Sequence, residues 1–516
     1  MSYSHYERLT AADEVFLDLE GPATHMHVGC VCLYDLAPLQ TAKGEFDFAR
    51  VFRQTEAALP YVPRFRQRLS AIPLFGRPVW VDDEHFNLRY HLRHTALPRP
   101  GDLRQLKRLA ARILSQQLDR TRPLWEMWFI EGLDGERFAV VTKVHHCMLD
   151  GVAGADLLAA LMAVDPERTA GFAAHWRPRP HPSGLELMAD ELGRRTALLP
   201  AALRAGRELL IRPRRTLRAA ADVAAGLVEL AGVRPASPSP FNVPIGPHRR
   251  FDWTRVDLAA MRGVGHCLGA TVNDVALATV TGALRTAWRR QGRDVDDMDC
   301  RALVSVSLRS ADERGAMGNR VATLLAGLPM GETDPVRRLQ RVAETMRAAK
   351  ASHQVLGTEV VEEFSDWTFA SLLVGVARLA LRNHSYTIDV TNVPGPPVPM
   401  YLLGAELREI YALTPLVDDQ ALALALFSYN GGMHWGFNAD WEAVPELHEF
   451  VQTVETEFAA LQRAATGRVP EVAARAKPSG HARRRPRPPG KGARRRTDGK
   501  APRRRATPGR DGYREM

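Results

Sequence analysis

Residues Arg137-Phe138-Ala139-Val140-Val141-Thr142-Lys143-Val144-His145-His146-Cys147-Met148-Leu149-Asp150-Gly151 decide how this chain reads. A β-branched and aromatic run predicts a strand, and Ala155 to Met162 (Ala-Asp-Leu-Leu-Ala-Ala-Leu-Met) has the spacing of a helix. In a strand, successive side chains alternate faces. On that pattern His146 shares a face with Val144, Thr142, Val140 and Phe138, whereas His145 turns the other way with Lys143 and Val141. Only one imidazole then serves a given site, and the other is a structural hydrogen-bonder. Asp150-Gly151 falls where the chain turns into the helix. An aspartate there caps the helix or pairs with an arginine, and glycine lets the backbone turn. A histidine at a strand end beside a fixed turn suits general-base work, since its ordinary pKa lies near neutrality. The pair alone reads equally as two core or surface histidines.

On either side of this segment the chain forms two blocks of strands and helices, at 1–165 and 251–465. Each carries a hairpin with a glycine turn, Leu133-Asp134-Gly135-Glu136 in the first and Asn430-Gly431-Gly432 in the second. Each also has helical stretches, exemplified by Gly154–Val164 and Asp274–Arg289. The fold class is therefore α/β, in two lobes of similar size. Residues 166–250 are a Pro-rich, Arg-rich helical linker. Between Leu192 and Arg218 it holds eight arginines against one acid, Glu208, with leucines between them. Such a helix lies on an anionic membrane surface or simply joins two domains, and Pro200 and Pro213 divide it into short pieces.

The net charge of +10 over 516 residues belongs to an appendage. Residues 466–516 hold 17 Lys and Arg against 4 Asp and Glu, leaving 52 basic and 55 acidic residues, a balance of −3, in the body. This tail is rich in Arg, Pro and Gly and nearly free of large apolar residues, so the expectation is disorder. It is a solubilising tail or a binder of anionic surfaces, phospholipid or nucleic acid. Nucleic acid is not expected elsewhere on a near-neutral body. Apolar residues at 45% and charged residues at 25% are ordinary for a soluble globular protein. The five cysteines form no C-x-x-C pair and fit a reducing compartment. With no signal-peptide core at MSYSHYERLT and no run of 18 apolar residues, the expected location is cytoplasmic. His25 and His27 share a strand face, but no carboxylate or cysteine stands ready to complete a metal set, so no metal is expected. No G-x-S-x-G elbow and no phosphate-cradling G-x-x-x-x-G-K-[ST] loop occurs.

The pattern His145-His146-x-x-x-Asp150-Gly151 resembles the H-H-x-x-x-D-G motif of the CoA-dependent acyltransferase superfamily, which includes chloramphenicol acetyltransferase and the condensation domains of peptide synthetases. Further segments resemble one branch, the bacterial wax ester synthase/diacylglycerol acyltransferase family. They are Leu9-x-x-x-Asp13-x-x-Phe16-Leu17, Met26-His27-Val28-Gly29 and Pro123-Leu124-Trp125 in the first half. The second half adds Gly246-Pro247-x-Arg249-Arg250, Val272-Asn273-Asp274-Val275, Gly318-Asn319-Arg320 and Thr391-Asn392-Val393-Pro394-Gly395-Pro396. Their joint order covers about 9 to 465.

The resemblance implies two chloramphenicol-acetyltransferase-like lobes with a tunnel between them, entered by acyl-CoA on one side and the acyl acceptor on the other. It implies His146 as general base, Asp150 and Gly151 fixing the motif loop, and Asn273 supporting the site from the second lobe. Pro123, Leu124 and Trp125 would shape the substrate tunnel. Acyl-CoA is then a co-substrate, no cofactor is needed, and the acceptor is diacylglycerol or a long-chain alcohol, at a membrane or lipid-droplet surface. The residues also admit plainer readings: Trp125 as core, Asn273-Asp274 as a helix cap, and the Pro/Gly segment after Thr391 as a strand-ending turn. A condensation-type transferase with another acceptor, or a non-catalytic lipid-surface shell, are the competing functions. Arg309, in the expected strand Ala302–Arg309, is a candidate partner for Asp150.

Overall fold

Two sheets organise the protein, and the strand that ends in the histidine pair lies inside one of them. The computed structural model describes residues 5–76, 78–148, 160–167, 176–196, 235–307, 321–351 and 385–467. The first sheet has seven strands, in the order Leu92–Ala96, Trp125–Leu133, Arg137–His145, His27–Asp35, Ala405–Leu413, Tyr401–Leu402 and Met162–Ala163. Leu92–Ala96 runs parallel to its neighbour and the other pairings are antiparallel. The second sheet has six strands, in the order Val321–Leu328, Cys300–Ser307, Ile388–Pro394, Leu422–Tyr429, Gly432–Asp440 and Arg249–Asp257. A small third sheet joins Tyr6–Arg8, Pro78–Asp82 and Gln67–Ala71.

Both expected hairpins form. Trp125–Leu133 pairs with Arg137–His145, and Leu422–Tyr429 with Gly432–Asp440, each across its glycine turn. Helices cover one face of the second sheet. Val272–Arg290 starts at a capping box in which Thr271 and Asp274 satisfy each other's backbone N–H groups. With Pro335–Ala351 and Leu447–Gly467 it buries Leu277, Val280, Leu284, Leu339, Val342, Val454 and Leu461 against Val304, Ile388, Val390 and Leu424. In the first lobe, Leu103–Leu114 turns Leu106, Ala110 and Leu114 onto Val31, Leu33, Val141 and Ala139. Phe251, Trp253 and Tyr411 complete that cluster, so one core joins the lobes. Among the described residues no single helix is long and apolar enough to cross a membrane.

Three sequence expectations change. The strand stops at His145, and His146–Met148 is a single 3-10 turn, so strict alternation does not reach His146. The expected helix Gly154–Val164 does not run to its end, because Met162–Ala163 pairs with Tyr401–Leu402 as an edge strand. The strand Ala405–Leu413, in the second half of the sequence, pairs with His27–Asp35 in the first-lobe sheet. Residues 184–196 of the linker are helical, and Leu187 packs with Ile72, Val79 and Val81 of the small sheet. There Arg194 and Arg195 bind Glu191 at 3.1 and 2.9 Å, with Arg8 at 2.6 Å from the same carboxylate. These charges serve the fold. The linker arginines from Arg204 to Arg218, the basic tail from 468, the Gly318-Asn319-Arg320 segment and Arg309 lie outside the described residues.

Candidate active site

His146 sits where its own turn meets two other segments. Its backbone N–H donates to the Met26 carbonyl at 2.8 Å, and its ring stacks on Phe16 with centroids 3.7 Å apart. Phe16 belongs to the helix Ala11–Leu19, whose first turn is fixed by a capping box between Thr10 and Asp13. Leu9 and Leu17 anchor that helix in the core. The spacing Leu9-x-x-x-Asp13-x-x-Phe16-Leu17 is thus a cap and a buried edge that carry one aromatic ring to the histidine. His146 is partly accessible as a residue, yet its Nδ1 is buried with no hydrogen-bond partner among the described residues. Burial, with His145 adding repulsion, pulls its pKa down to about 4, so the imidazole is neutral near pH 7.

His145 has a different task. It is fully buried, and its Nδ1 accepts the Cys147 backbone N–H at 3.1 Å. The ring proton therefore sits on Nε2, which points at Glu20 Oε1, 3.5 Å away. Arg120 closes this group, its Nε donating to Glu20 Oε2 at 2.7 Å. Burial alone would raise the Glu20 pKa, but His145 and Arg120 more than offset it and hold the carboxyl below its usual range. Neither Glu20 nor Arg120 is marked by any sequence pattern. Their partners lie about a hundred residues apart, and only the fold joins them.

The segment Met26-His27-Val28-Gly29 is the strand partner of the motif, with His27 opposite His145 and Gly29 opposite Lys143. A side chain at Gly29 would put its Cβ 2.1 Å from the Thr142 carbonyl oxygen, so only glycine lets these strands approach. His27 Nε2 accepts the Leu118 N–H at 3.3 Å, and burial keeps His27 neutral. His25 Nε2 bonds the Pro22 carbonyl at 3.1 Å. Pro123-Leu124-Trp125 is tied directly to the motif strand, since the Leu124 carbonyl accepts the His145 N–H at 2.9 Å. Leu124 and Trp125 are buried, and Trp125 Nε1 donates to the Phe65 carbonyl at 2.8 Å. His91 stacks on Trp125 and donates from Nδ1 to its carbonyl at 2.8 Å. Core packing and positioning account for what Trp125 touches.

The second lobe brings Asn273 on the helix Val272–Arg290. Thr271 and Asp274 perform the capping, which leaves both amide atoms of Asn273 buried without a partner among the described residues. No hydrogen bond joins it to His146 among those residues. Arg249 explains the Gly246-Pro247-x-Arg249-Arg250 segment. It is buried, its guanidinium donates to the Ala23 and Gly246 carbonyls, and its backbone N–H donates to Ser115 Oγ at 2.9 Å, which ties the lobes together. The segment Thr391–Pro396 closes a central strand, where Gly395 packs so near the Phe427 ring that a Cβ would lie 2.2 Å from it. Asp150 and Gly151 lie outside the described residues.

Two α/β lobes joined by a shared core, with a neutral histidine on the turn that ends a first-lobe strand, define a CoA-dependent-acyltransferase type of fold. The first condensation domain of the calcium-dependent antibiotic synthetase has this fold, with a TM-score of 0.53 at 16% identity, over 90% of this chain and 97% of that one. Two family models match: the wax ester synthase/diacylglycerol acyltransferase catalytic domain over residues 9–276 and the C-terminal domain of the same family over 317–462. The chain belongs to the wax ester synthase/diacylglycerol acyltransferase family. A Mycobacterium tuberculosis protein named a putative diacylglycerol O-acyltransferase is 30% identical over 462 residues, covering 86% of this chain and 87% of the relative. The solved wax ester synthase/diacylglycerol acyltransferase of Marinobacter aquaeolei VT8 matches with a TM-score of 0.66 and 27% identity, over 89% of this chain and all of that one. This chain is an acyl-CoA-dependent acyltransferase of that type.

Proposed function

We propose that the enzyme transfers a fatty acyl group from acyl-CoA to the hydroxyl of diacylglycerol, making triacylglycerol, and of a long-chain alcohol, making wax ester. The observation that carries this reading is His146, neutral by burial and held by Phe16 and the Met26 carbonyl at a partly accessible position. His146 takes the proton from the acceptor hydroxyl as the oxygen attacks the thioester carbonyl. The tetrahedral intermediate collapses by breaking the C–S bond, and the imidazolium returns its proton to the departing thiolate. No acyl-enzyme forms. A low pKa keeps the base unprotonated at working pH, and the developing imidazolium gains from each dipole aimed at it.

His145, with Glu20 and Arg120, holds the loop on which His146 sits. Asp150 and Gly151 take the motif's role of fixing the loop, Asn273 offers from the second lobe an amide unpartnered among the described residues, and Pro123, Leu124 and Trp125 back the substrate channel. The acceptors are insoluble in water, so the enzyme works from the cytoplasm at a membrane or lipid-droplet surface, and the basic tail adds attraction to anionic headgroups.

The test is CoA release from palmitoyl-CoA by the purified full chain, with diacylglycerol and hexadecanol offered separately. His146→Ala should lose at least about 10³-fold in turnover while keeping its circular dichroism spectrum. Acceptor-dependent release that survives in folded His146→Ala protein would remove His146 as the base.

A further inference from the structure

The second sheet carries a polar group that the transfer chemistry above does not use. Its strand Ile388–Pro394 runs parallel to both neighbours, Cys300–Ser307 and Leu422–Tyr429. Ile388 and Val390 are buried in the helix-covered core. By alternation Asp389 and Thr391 face the other way. The register sets Leu303 and Ser305 beside them on one neighbour, and Ala423 and Ala425 on the other. Asp389, Thr391, Leu303 and Ser305 are each partly accessible.

Two observations say what this face looks at. Thr414, directly after the strand Ala405–Leu413 of the first-lobe sheet, turns its hydroxyl to Asp389 Oδ2 at 3.4 Å. Phe427, on the same face as Ala423 and Ala425, packs against the first-lobe cluster that contains Cys147 and Met148 and against which Phe16 also packs. Asp389 therefore lies on the side of the second sheet turned toward the first lobe, which carries His146.

No cation lies within 4 Å of the Asp389 carboxyl among the described residues. A carboxylate there without a counter-charge is costly. Burial pushes its pKa up to about 7, against the lowering effect of the Thr414 and Thr391 hydroxyls. Near neutral pH a large share carries a proton and both donates and accepts hydrogen bonds. Its ionised share repels phosphates, which argues against the CoA end of the donor and for an uncharged ligand.

We propose that Asp389 and Thr391 form the seat for the polar head of the acyl acceptor, the hydroxyl and ester oxygens of a diacylglycerol, and so set its preference over a simple long-chain alcohol. This rests on the acyl-transfer reading above. A site built to hydrogen-bond oxygens discriminates strongly against ligands that lack them, because its own polar groups are left unpaired.

The experiment measures kcat and KM of the full chain for dioleoylglycerol and hexadecanol in the same mixed micelles, with palmitoyl-CoA as donor. Asp389→Leu should lower the specificity ratio, kcat/KM for dioleoylglycerol over kcat/KM for hexadecanol, by about 10-fold, mostly through KM for dioleoylglycerol. Asp389→Asn, which still donates and accepts, should restore most of the ratio. Thr391→Val should lower it by about 3-fold and serves as the second variant if Asp389→Leu folds poorly. An unchanged ratio in Asp389→Leu and Thr391→Val, or equal losses on both acceptors, overturns the seat and leaves the transferase intact. A wild type active on hexadecanol alone also overturns it. A wild type active on neither acceptor instead removes the acyl-transfer reading, and this proposal with it.

Discussion

His145 and His146 are neighbours in sequence and do unlike things, and the cause is what each ring meets. The His146 ring lies flat on Phe16 with its Nδ1 unpaired among the described residues, whereas His145 is held by the Cys147 N–H on one side and faces Glu20 at 3.5 Å on the other. Sequence alternation put the two rings on opposite faces of a strand that in fact ends at His145, and it could not name Glu20 as that ring's neighbour. That carboxylate is visible only when residues 20, 120 and 145 are brought together. Glu20→Gln tests its importance. The change leaves Arg120 without its counter-charge and removes the negative charge that faces His145 Nε2, so the motif loop shifts. A small displacement of a catalytic base is costly in rate. Turnover should fall about 10-fold or more with KM for palmitoyl-CoA nearly constant, and the melting temperature should drop by a few degrees. Wild-type turnover in Glu20→Gln would show that this group does not position His146.

At the scale of elements, the strands and hairpins were legible because their signals are local: β-branched runs, glycine turns, and a capping box at Thr271 that starts a long helix. Burial was harder to read. Lys143 sits on what alternation gives as the face away from His146, yet the helix Leu103–Leu114 covers that face. The ammonium is fully buried and donates to the Ile113 and Gln116 carbonyls at 3.1 and 2.8 Å, satisfying groups at the helix end. Nothing local in the sequence marks a lysine for that duty. Gly29 shows the same kind of constraint more sharply. A methyl group there would meet the Thr142 carbonyl oxygen at 2.1 Å, between the two central strands of the first sheet. Neither strand can move without disturbing neighbours that are themselves paired. Gly29→Ala should therefore cost about 3 kcal/mol or more, above the usual range for small overpacking, and lower the melting temperature with reduced soluble yield. An unchanged melting temperature would mean that the strands separate at little cost.

The whole molecule is held by long-range ties that a linear reading does not reach. The strand Ala405–Leu413 pairs into the sheet of the first lobe, and Arg249 bonds to Ala23 and Ser115 across 226 and 134 residues of sequence. The same enclosure sets the response to acid. Burial lowers the pKa of His91, His146 and His434 to about 4 each, and that of His27 well below its ordinary value. Between about pH 6.5 and pH 4 the unfolded chain binds protons that these folded histidines refuse, so stability must fall as pH drops through that window. Asp389 acts in the opposite sense. Folded, with a pKa of about 7, it keeps a proton that the unfolded chain releases, so it adds stability as pH falls from 7 toward 4. Four histidines oppose this one carboxyl, and each tenfold change in proton affinity is worth about 1.4 kcal/mol at most, so the histidines prevail. Scanning calorimetry at pH 7.5, 6.5, 5.5 and 5.0 should show a melting temperature that is highest at the upper end and declines steadily below pH 6.5. The decline should steepen in Asp389→Leu, which removes the opposing group. A melting temperature that stays level or rises toward pH 5 would mean that these histidines are not held neutral, and with them would go the neutral base on which the chemistry of His146 depends.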